Sequence, residues 1–385
     1  MRVLFITHSY PRSVGDAAGN FLLHLAAALA REGIEVRVLA PSGPDLPAHE
    51  RLGGVVVDRF RYAPPSWETL AYTGEMAQDV RRSWRARLAL GGLIAGGAAA
   101  AGRVARAFAP ELVHAHWWFP AGVIATLAPR LRRLPLVTTL HGTDVRLARA
   151  TAAARPVLRR VLQRSRAVTT VSRWLADEAR SMAPDVTPHV APMPVSPDLF
   201  KPGGERAADR LLFVGRLNEQ KGAGRLLEAL ATTRGGMSLD VVGDGPDATA
   251  LRARAESLGI GARVAWHAAR TQQELAPFYR RAAALVVPSL GEGLGLVTVE
   301  AQLCETPVVA FASGGVVDTV VDGRTGLLVP PGNVSALAAA LDRLQGDPQL
   351  RGALGRAGRA AALARFSPDA AARTYASIYR AARAT

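Results

Sequence analysis

Residues 289–311 read SLGEGLGLVTVEAQLCETPVVAF, and they follow a short β-branched run, Leu285–Pro288. Gly291, Gly293 and Gly295 punctuate a turn that opens into a helical pattern near Leu296. A glycine-rich turn feeding a helix presents unpaired backbone N–H groups and the positive end of a dipole, a ready site for an anion. Glu292 lies in the turn itself. Glu300 falls about one turn inside the helix, where its carboxylate can accept hydrogen bonds from ligand hydroxyls. Apolar residues resume at Val308–Phe311, a second strand. Strand, glycine turn, helix and strand in this order is the unit of a parallel α/β sheet.

The same alternation extends in both directions. Strands are expected at Val3–Thr7, Val36–Ala40, Val55–Phe60, Leu112–His116, Leu136–Leu140 and Ala167–Val171. A second series follows at Leu211–Val214, Leu239–Val242, Val264–His267, Leu285–Pro288, Val308–Phe311 and Leu327–Val329. Helical patterns such as Phe21–Arg31 and Arg155–Arg164 lie between them. Strands alternating with helices of this length imply right-handed crossovers, so two series in tandem predict two doubly wound domains. Six prolines between Pro184 and Pro202 mark a semi-rigid linker. The expected domains are therefore 1–190 and 191–366. A terminal helix over 367–383 carries Tyr375, Ile378 and Tyr379 on one face.

With 385 residues, 49% hydrophobic and 21% charged, the chain has enough apolar surface for two full cores. A lone cysteine, Cys304, excludes an internal disulfide framework and fits a reducing compartment. The opening residues read as a strand rather than a signal peptide. The formal charge is +15, and residues 1–190 hold 25 basic against 14 acidic side chains. No zinc spacing, helix-turn-helix signature or basic-aromatic repeat accompanies that charge, so a nucleic-acid-binding role ranks last. The uncharged stretch from Leu88 to Gly102 falls short of the ~20 residues that cross a bilayer. Beside it stand Arg81, Arg82, Trp84, Arg85 and Arg87. That pairing fits either a helix packed on its own domain or one in weak, salt-sensitive contact with an anionic membrane surface.

Ligands of open parallel sheets bind beyond the carboxyl ends of the strands, and the loops there hold the expected residue types. Arg216 and Lys221 flank the first loop of the second series and can reach one diphosphate from two sides. Gly243 opens the turn Gly243-Asp244-Gly245-Pro246, where backbone can approach a flat ligand. In the first series, His116-Trp117-Trp118 follows one strand and His141-Gly142-Thr143-Asp144 another. Asp144 fits either a cap or a polar contact to an acceptor. Gly19 and Asn20 begin a helix that offers an N-terminus to a phosphate or acceptor. No His, Cys or Asp cluster has metal-ligand spacing, so neither a metal nor a cofactor is expected.

These segments together resemble the retaining glycosyltransferases of family 4. The motifs are FVGRLNEQKG (213–222), VVGDGP (241–246), VPSLGEGLGLVTVEAQLCETPVVA (287–310) and GGVVDTVVDGRTGLLVPPGN (314–333), with HAHWWFPAG (114–122) and TLHGTDV (139–145) in the first half. The resemblance implies the GT-B architecture, two Rossmann-like domains facing across a cleft, with the terminal helix crossing back onto the first. It implies that Arg216 and Lys221 hold a donor diphosphate and Glu300 the ribose hydroxyls. Glu292 would face the transferred sugar, with the backbone of Gly293, Leu294, Gly295, Leu296 and Val297 against sugar and phosphate. His141 would be the histidine near the reacting carbon. The implied partners are a nucleoside-diphosphate sugar and a hydroxyl acceptor, either saccharide or lipid-linked, met in the cytoplasm or on the inner membrane face. A sugar-nucleotide epimerase or a phosphorylase on the same fold is the competing activity. The chain departs from the family pattern at Asp16-Ala17, where paired glycines are frequent, at Ala268 and at Glu305.

Overall fold

Segments such as RLLFV (210–214), ALVV (284–287) and VVAF (308–311) are apolar on both faces. Such strands need cover on two sides, and helices flanking a parallel sheet supply it. The computed structural model describes residues 1–16, 18–72 and 76–384; Ala17, one of the departures named above, lies outside them. The chain divides into two compact units, Met1–Pro194 with Pro368–Thr385, and Val195–Ser367.

In the first unit the strands are β1 (Arg2–Ile6), β2 (Glu35–Pro41), β3 (His49–Leu52), β4 (Val55–Phe60), β5 (Leu112–His116), β6 (Leu136–Leu140), β7 (Ala167–Thr170) and β8 (His189–Val190). They form one sheet in the order β3-β4-β2-β1-β5-β6-β7-β8. All pairings are parallel except β3 with β4, which is antiparallel. That pairing adds an antiparallel edge to the expected parallel sheet. Strand β3, HERL, has no apolar run to announce it; a two-glycine turn, Gly53-Gly54, folds it back onto β4.

The second unit holds β9 (Arg210–Val214), β10 (Ser238–Val242), β11 (Val264–His267), β12 (Ala284–Val287), β13 (Val308–Phe311) and β14 (Gly326–Val329). Their order is β11-β10-β9-β12-β13-β14, and every pairing is parallel. Leu226, Leu230, Val286, Phe311, Leu337 and Leu341 pack together in its core. Cys304 is buried, and burial pushes its thiol up to about 12.

The proline-dense segment is not only a linker. Its His189–Val190 is the edge strand β8, and Ala191, Met193, Val195 and Phe200 are buried. The terminal helix, Pro368–Ala384, belongs to the first unit. Tyr375 and Tyr379 are fully buried, while Ile378 is only partly covered. The Tyr379 hydroxyl shares a 2.6 Å hydrogen bond with His114 Nδ1 on β5, and the Tyr375 hydroxyl donates to the Ala191 carbonyl at 3.0 Å.

The apolar stretch near residue 90 belongs to a 25-residue helix, Trp84–Phe108, longer than the uncharged run alone implies. By length and composition it passes as a membrane span. Yet Ala86, Ala89, Leu93, Ala100 and Ala101 bury a stripe of it in the core of the first unit. Two of the flanking arginines have protein partners: Arg87 donates to the carbonyls of Val80 and Arg81, and Arg85 lies over the Trp67 and Trp84 rings. Small residues let this helix come close to the sheet; a Cβ on Gly92 would run into the Tyr62 carbonyl, whereas Gly91 faces open space. Gly92→Ala is therefore expected to lose about 1–3 kcal/mol of stability. Gly91→Ala should hold or gain a few tenths of a kcal/mol, up to ~1. Urea unfolding of both variants checks this, and equal midpoints would refute the close contact.

Candidate active site

In the second sheet, chain order runs outward from β9 through β10 to β11, then restarts at β12 on the other side. Between β9 and β12 the following loops diverge, and such a reversal is where parallel sheets take their ligands. Four loops are stitched together there. The loop after β9 meets the one after β12 through Leu290 N–H to Gln220 O (3.0 Å), Gln220 Nε2 to Gly291 O (3.2 Å) and Ser289 Oγ to Lys221 O (3.3 Å). It meets the loop after β10 through Leu217 N–H to Asp244 O at 2.9 Å. The loop after β13 joins through Gly315 N–H to Glu292 O at 2.7 Å and through Ser313 Oγ, which accepts from Gly291 N–H at 3.0 Å. Gly222, at φ 73°, sits against the Pro288 carbonyl, where no side chain fits. Gly243, at φ 147°, similarly backs onto the Gly215 carbonyl.

This scaffold places Lys221 Nζ 2.5 Å from Glu292 Oε1. Glu292 is buried and the lysine only partly so. The glutamate expected to face a sugar is thus also the counter-ion of the lysine expected to face a diphosphate. Arg216 is partly exposed in the same loop as Lys221. The helix Leu296–Leu303 starts immediately after Gly295, which caps it at φ 80°. Its first amides have no partners within the helix. Leu294 is buried; Gly293, Gly295, Leu296 and Val297 retain exposure.

Glu300 lies on that helix, buried, and both its oxygens have protein donors. The Tyr279 hydroxyl donates to Oε2 at 2.6 Å and Gln272 Nε2 to Oε1 at 3.2 Å. Burial raises its pKa, and the two hydrogen bonds oppose the rise. Tyr279 and Gln272 were invisible as site residues in the sequence. Their helix, Gln272–Arg281, has ordinary composition, and only the packing brings it to Glu300.

In the first unit the reversal falls between β1 and β5. His8 follows β1, and Trp117 follows β5 with φ 70°, a strained value for a bulky residue. Trp117 stacks on His141 with ring centroids 4.1 Å apart and meets His8 edge-on at 4.6 Å. His116 Nδ1 lies 3.3 Å from His141 Nε2. Burial holds His141 well below the ordinary histidine range, aided by His116 and His8, so its imidazole is neutral. Asp144 lies in the first turn of the helix Thr143–Ala150, whose N-cap is Gly142. Its carboxylate accepts from the backbone N–H groups of His141, Gly142, Val145 and Trp118 at 2.9–3.2 Å. Gly19 opens the helix Asn20–Arg31 and lies against the Ser9 carbonyl, and Asn20 is buried. His8 was missed, although its place at a strand's carboxyl end was the available signal.

Among the described residues no group of three His, Cys, Asp or Glu side chains is arranged to hold a metal ion. Two Rossmann-like α/β units, the second carrying cationic loops and a buried glutamate at its sheet reversal, define the GT-B class of sugar-transferring enzymes. Residues 198–361 match the model of the glycosyl transferases group 1, and residues 18–199 that of glycosyltransferase family 4. A D-inositol 3-phosphate glycosyltransferase of Streptomyces bingchenggensis is 32% identical, covering 95% of this chain and 85% of that one. A glycogen synthase of Mycobacterium tuberculosis is 30% identical, covering 100% and 95%. Among solved structures, sucrose-phosphate synthase from Thermosynechococcus elongatus superposes with a TM-score of 0.80 at 24% identity, over 98% of each chain. HepE from Anabaena, solved in complex with UDP and glucose, gives 0.76 at 20% identity over 99% of each. The chain belongs to the group 1 glycosyltransferases of family 4 and is a glycosyltransferase.

Proposed function

We propose that this enzyme moves a sugar from a nucleoside diphosphate to a hydroxyl acceptor with retention at the anomeric carbon. The carrying observation is the Lys221–Glu292 pair at the sheet reversal, 2.5 Å across, in a cradle of four braced loops. Fixed cations stabilise a departing diphosphate where its charge develops. Lys221, Arg216 and the helix start at Leu296 are the groups assigned to that task, without a metal ion. Glu300 accepts from the ribose hydroxyls, and HepE's capture with UDP and glucose supports such a donor by analogy of fold. His141, neutral at the carboxyl end of β6, keeps the role near the reacting carbon that the family resemblance implies. In the step we favour, the bond from anomeric carbon to phosphate oxygen breaks and the acceptor oxygen bonds on the same face. The acceptor proton leaves with the phosphate, giving glycoside and nucleoside diphosphate.

A panel of nucleoside-diphosphate sugars, scored by release of the diphosphate, finds the donor. Proton NMR of the product then reads the anomeric configuration. Retention, with activity unchanged by EDTA, is the expected result. Inversion, or activity lost to EDTA and restored by Mg²⁺, overturns the corresponding part. Trapping of a covalent glycosyl-enzyme would replace the same-face route by a double displacement. The curated relatives carry the names of polar acceptors, inositol 3-phosphate and glycogen.

A further inference from the structure

A cavity of about 390 Å³ opens inside the first unit, beside the His8–Trp117–His141 stack. Its walls include Leu70, Val80, Leu90, Phe119, Leu147 and Val157. Of the polar residues in its lining, Arg81 is exposed and Thr151 partly so, while Thr143 and Asp144 are engaged with the protein. Thr143 Oγ1 accepts from Trp117 Nε1 at 3.0 Å, and Asp144 is spent on four backbone N–H groups. His8 differs. It lines the cavity, and its Nδ1 is buried with no hydrogen-bond partner. A buried polar atom left without a partner is costly, and native structures keep few of them.

We propose that this cavity binds the acceptor, and that the acceptor is an alcohol with an apolar body whose hydroxyl is hydrogen-bonded by His8. The inference rests on the glycosyltransferase reading above and narrows its acceptor. A hydroxyl-rich body such as a cyclitol or a glucan would leave its polar groups unmatched against these walls. An apolar body loses nothing by entering, and one hydroxyl at its end satisfies Nδ1 once the His8 side chain turns that nitrogen to the cavity surface. Burial holds the His8 imidazole down at about 4, so it is neutral and offers one donor and one acceptor nitrogen. Such an alcohol has two sources, an acyclic lipid chain or a compact ring system, and both share this chemistry. Trp117 and Trp118 also line the cavity and report on its filling.

The test uses the full chain and three probes: 1-octanol for the chain, 2-naphthol for the ring, and myo-inositol as the polar control. Binding is read by calorimetry and by the rise in thermal midpoint; UDP binding is measured in parallel on the same protein. At least one apolar alcohol is expected to bind and raise the midpoint, and myo-inositol to do neither. Leu147→Trp narrows the cavity from the partly exposed helix Thr143–Ala150. It should weaken the apolar probe tenfold or more while UDP binds as before. His8→Phe keeps the ring and loses the nitrogens, so it should cut affinity for the alcohol severalfold more than affinity for the matching hydrocarbon, octane or naphthalene. Absence of binding by both apolar probes, binding undiminished in Leu147→Trp, or preference for myo-inositol overturns the proposal. UDP binding with no alcohol binding would sink the cavity assignment alone, whereas failure of the wild type to bind UDP or any other nucleoside diphosphate would strike the donor reading instead. Preference for octanol or for naphthol decides between lipid and compact acceptors.

Discussion

Lys221→Ala should cut turnover by ~10²–10³ while the protein remains folded, because removing one preorganised donor from a site of developing charge has that effect. The lysine is a point charge held 2.5 Å from Glu292, so the two residues act as a unit and their substitutions should not add. Lys221→Ala with Glu292→Gln is therefore expected to lose less than the product of the single losses. Steady-state rates for the three variants, beside their thermal midpoints, measure it. Near-normal turnover in folded Lys221→Ala would remove this lysine from the chemistry. Strict multiplication of the single effects would mean that the two residues act independently, with no coupling across the pair.

Glu300→Gln should weaken donor binding more than it slows chemistry, and Glu292→Gln should do the reverse. Glu300 is clamped by Tyr279 and Gln272, one donor on each oxygen. Replacing the carboxylate by an amide turns one acceptor into a donor. Charge-assisted hydrogen bonds contribute about 1.5–3 kcal/mol, or roughly ten- to a hundredfold in affinity. Tyr279→Phe removes one clamp and leaves the carboxylate, so its loss of affinity should be smaller. Glu292, in the turn, is assigned to charge that develops only as the glycosidic bond breaks, and such interactions appear in kcat. Calorimetry of donor binding and initial rates separate the two. If Glu292→Gln loses affinity and Glu300→Gln only rate, the two roles are exchanged.

What sequence makes legible here is whatever repeats locally. Twelve strands announce themselves as largely apolar runs of three to six residues bounded by Gly, Pro or polar turns. Their carboxyl ends lead directly to Arg216, Lys221, Glu292 and His141. Strands β3 and β8 escape because HERL has no apolar period and His189–Val190 is two residues inside a proline-rich stretch. Pairings at long separation escape for a different reason. Nothing in the composition of residues 272–281 says that Tyr279 will meet Glu300, since only the packing of that helix decides it. Asp144 is the instructive case. A carboxylate at a strand end reads equally as a ligand contact or a brace for backbone amides, and only the fold brings three amides of its own turn and the distant amide of Trp118 onto it.

The terminal helix puts Tyr375 and Tyr379 under β5 and β6, hydrogen-bonded to His114 and to the Ala191 carbonyl. A ribosome makes the first unit's sheet first, yet these two side chains emerge only after the whole second unit has been synthesised. Until then the sheet face around His114 has no cover, and the nascent chain carries an open seam through the second half of its own translation. The first unit, earliest to begin, is the last to close, and a nonsense codon anywhere from residue 195 to Tyr375 strips it of both tyrosines.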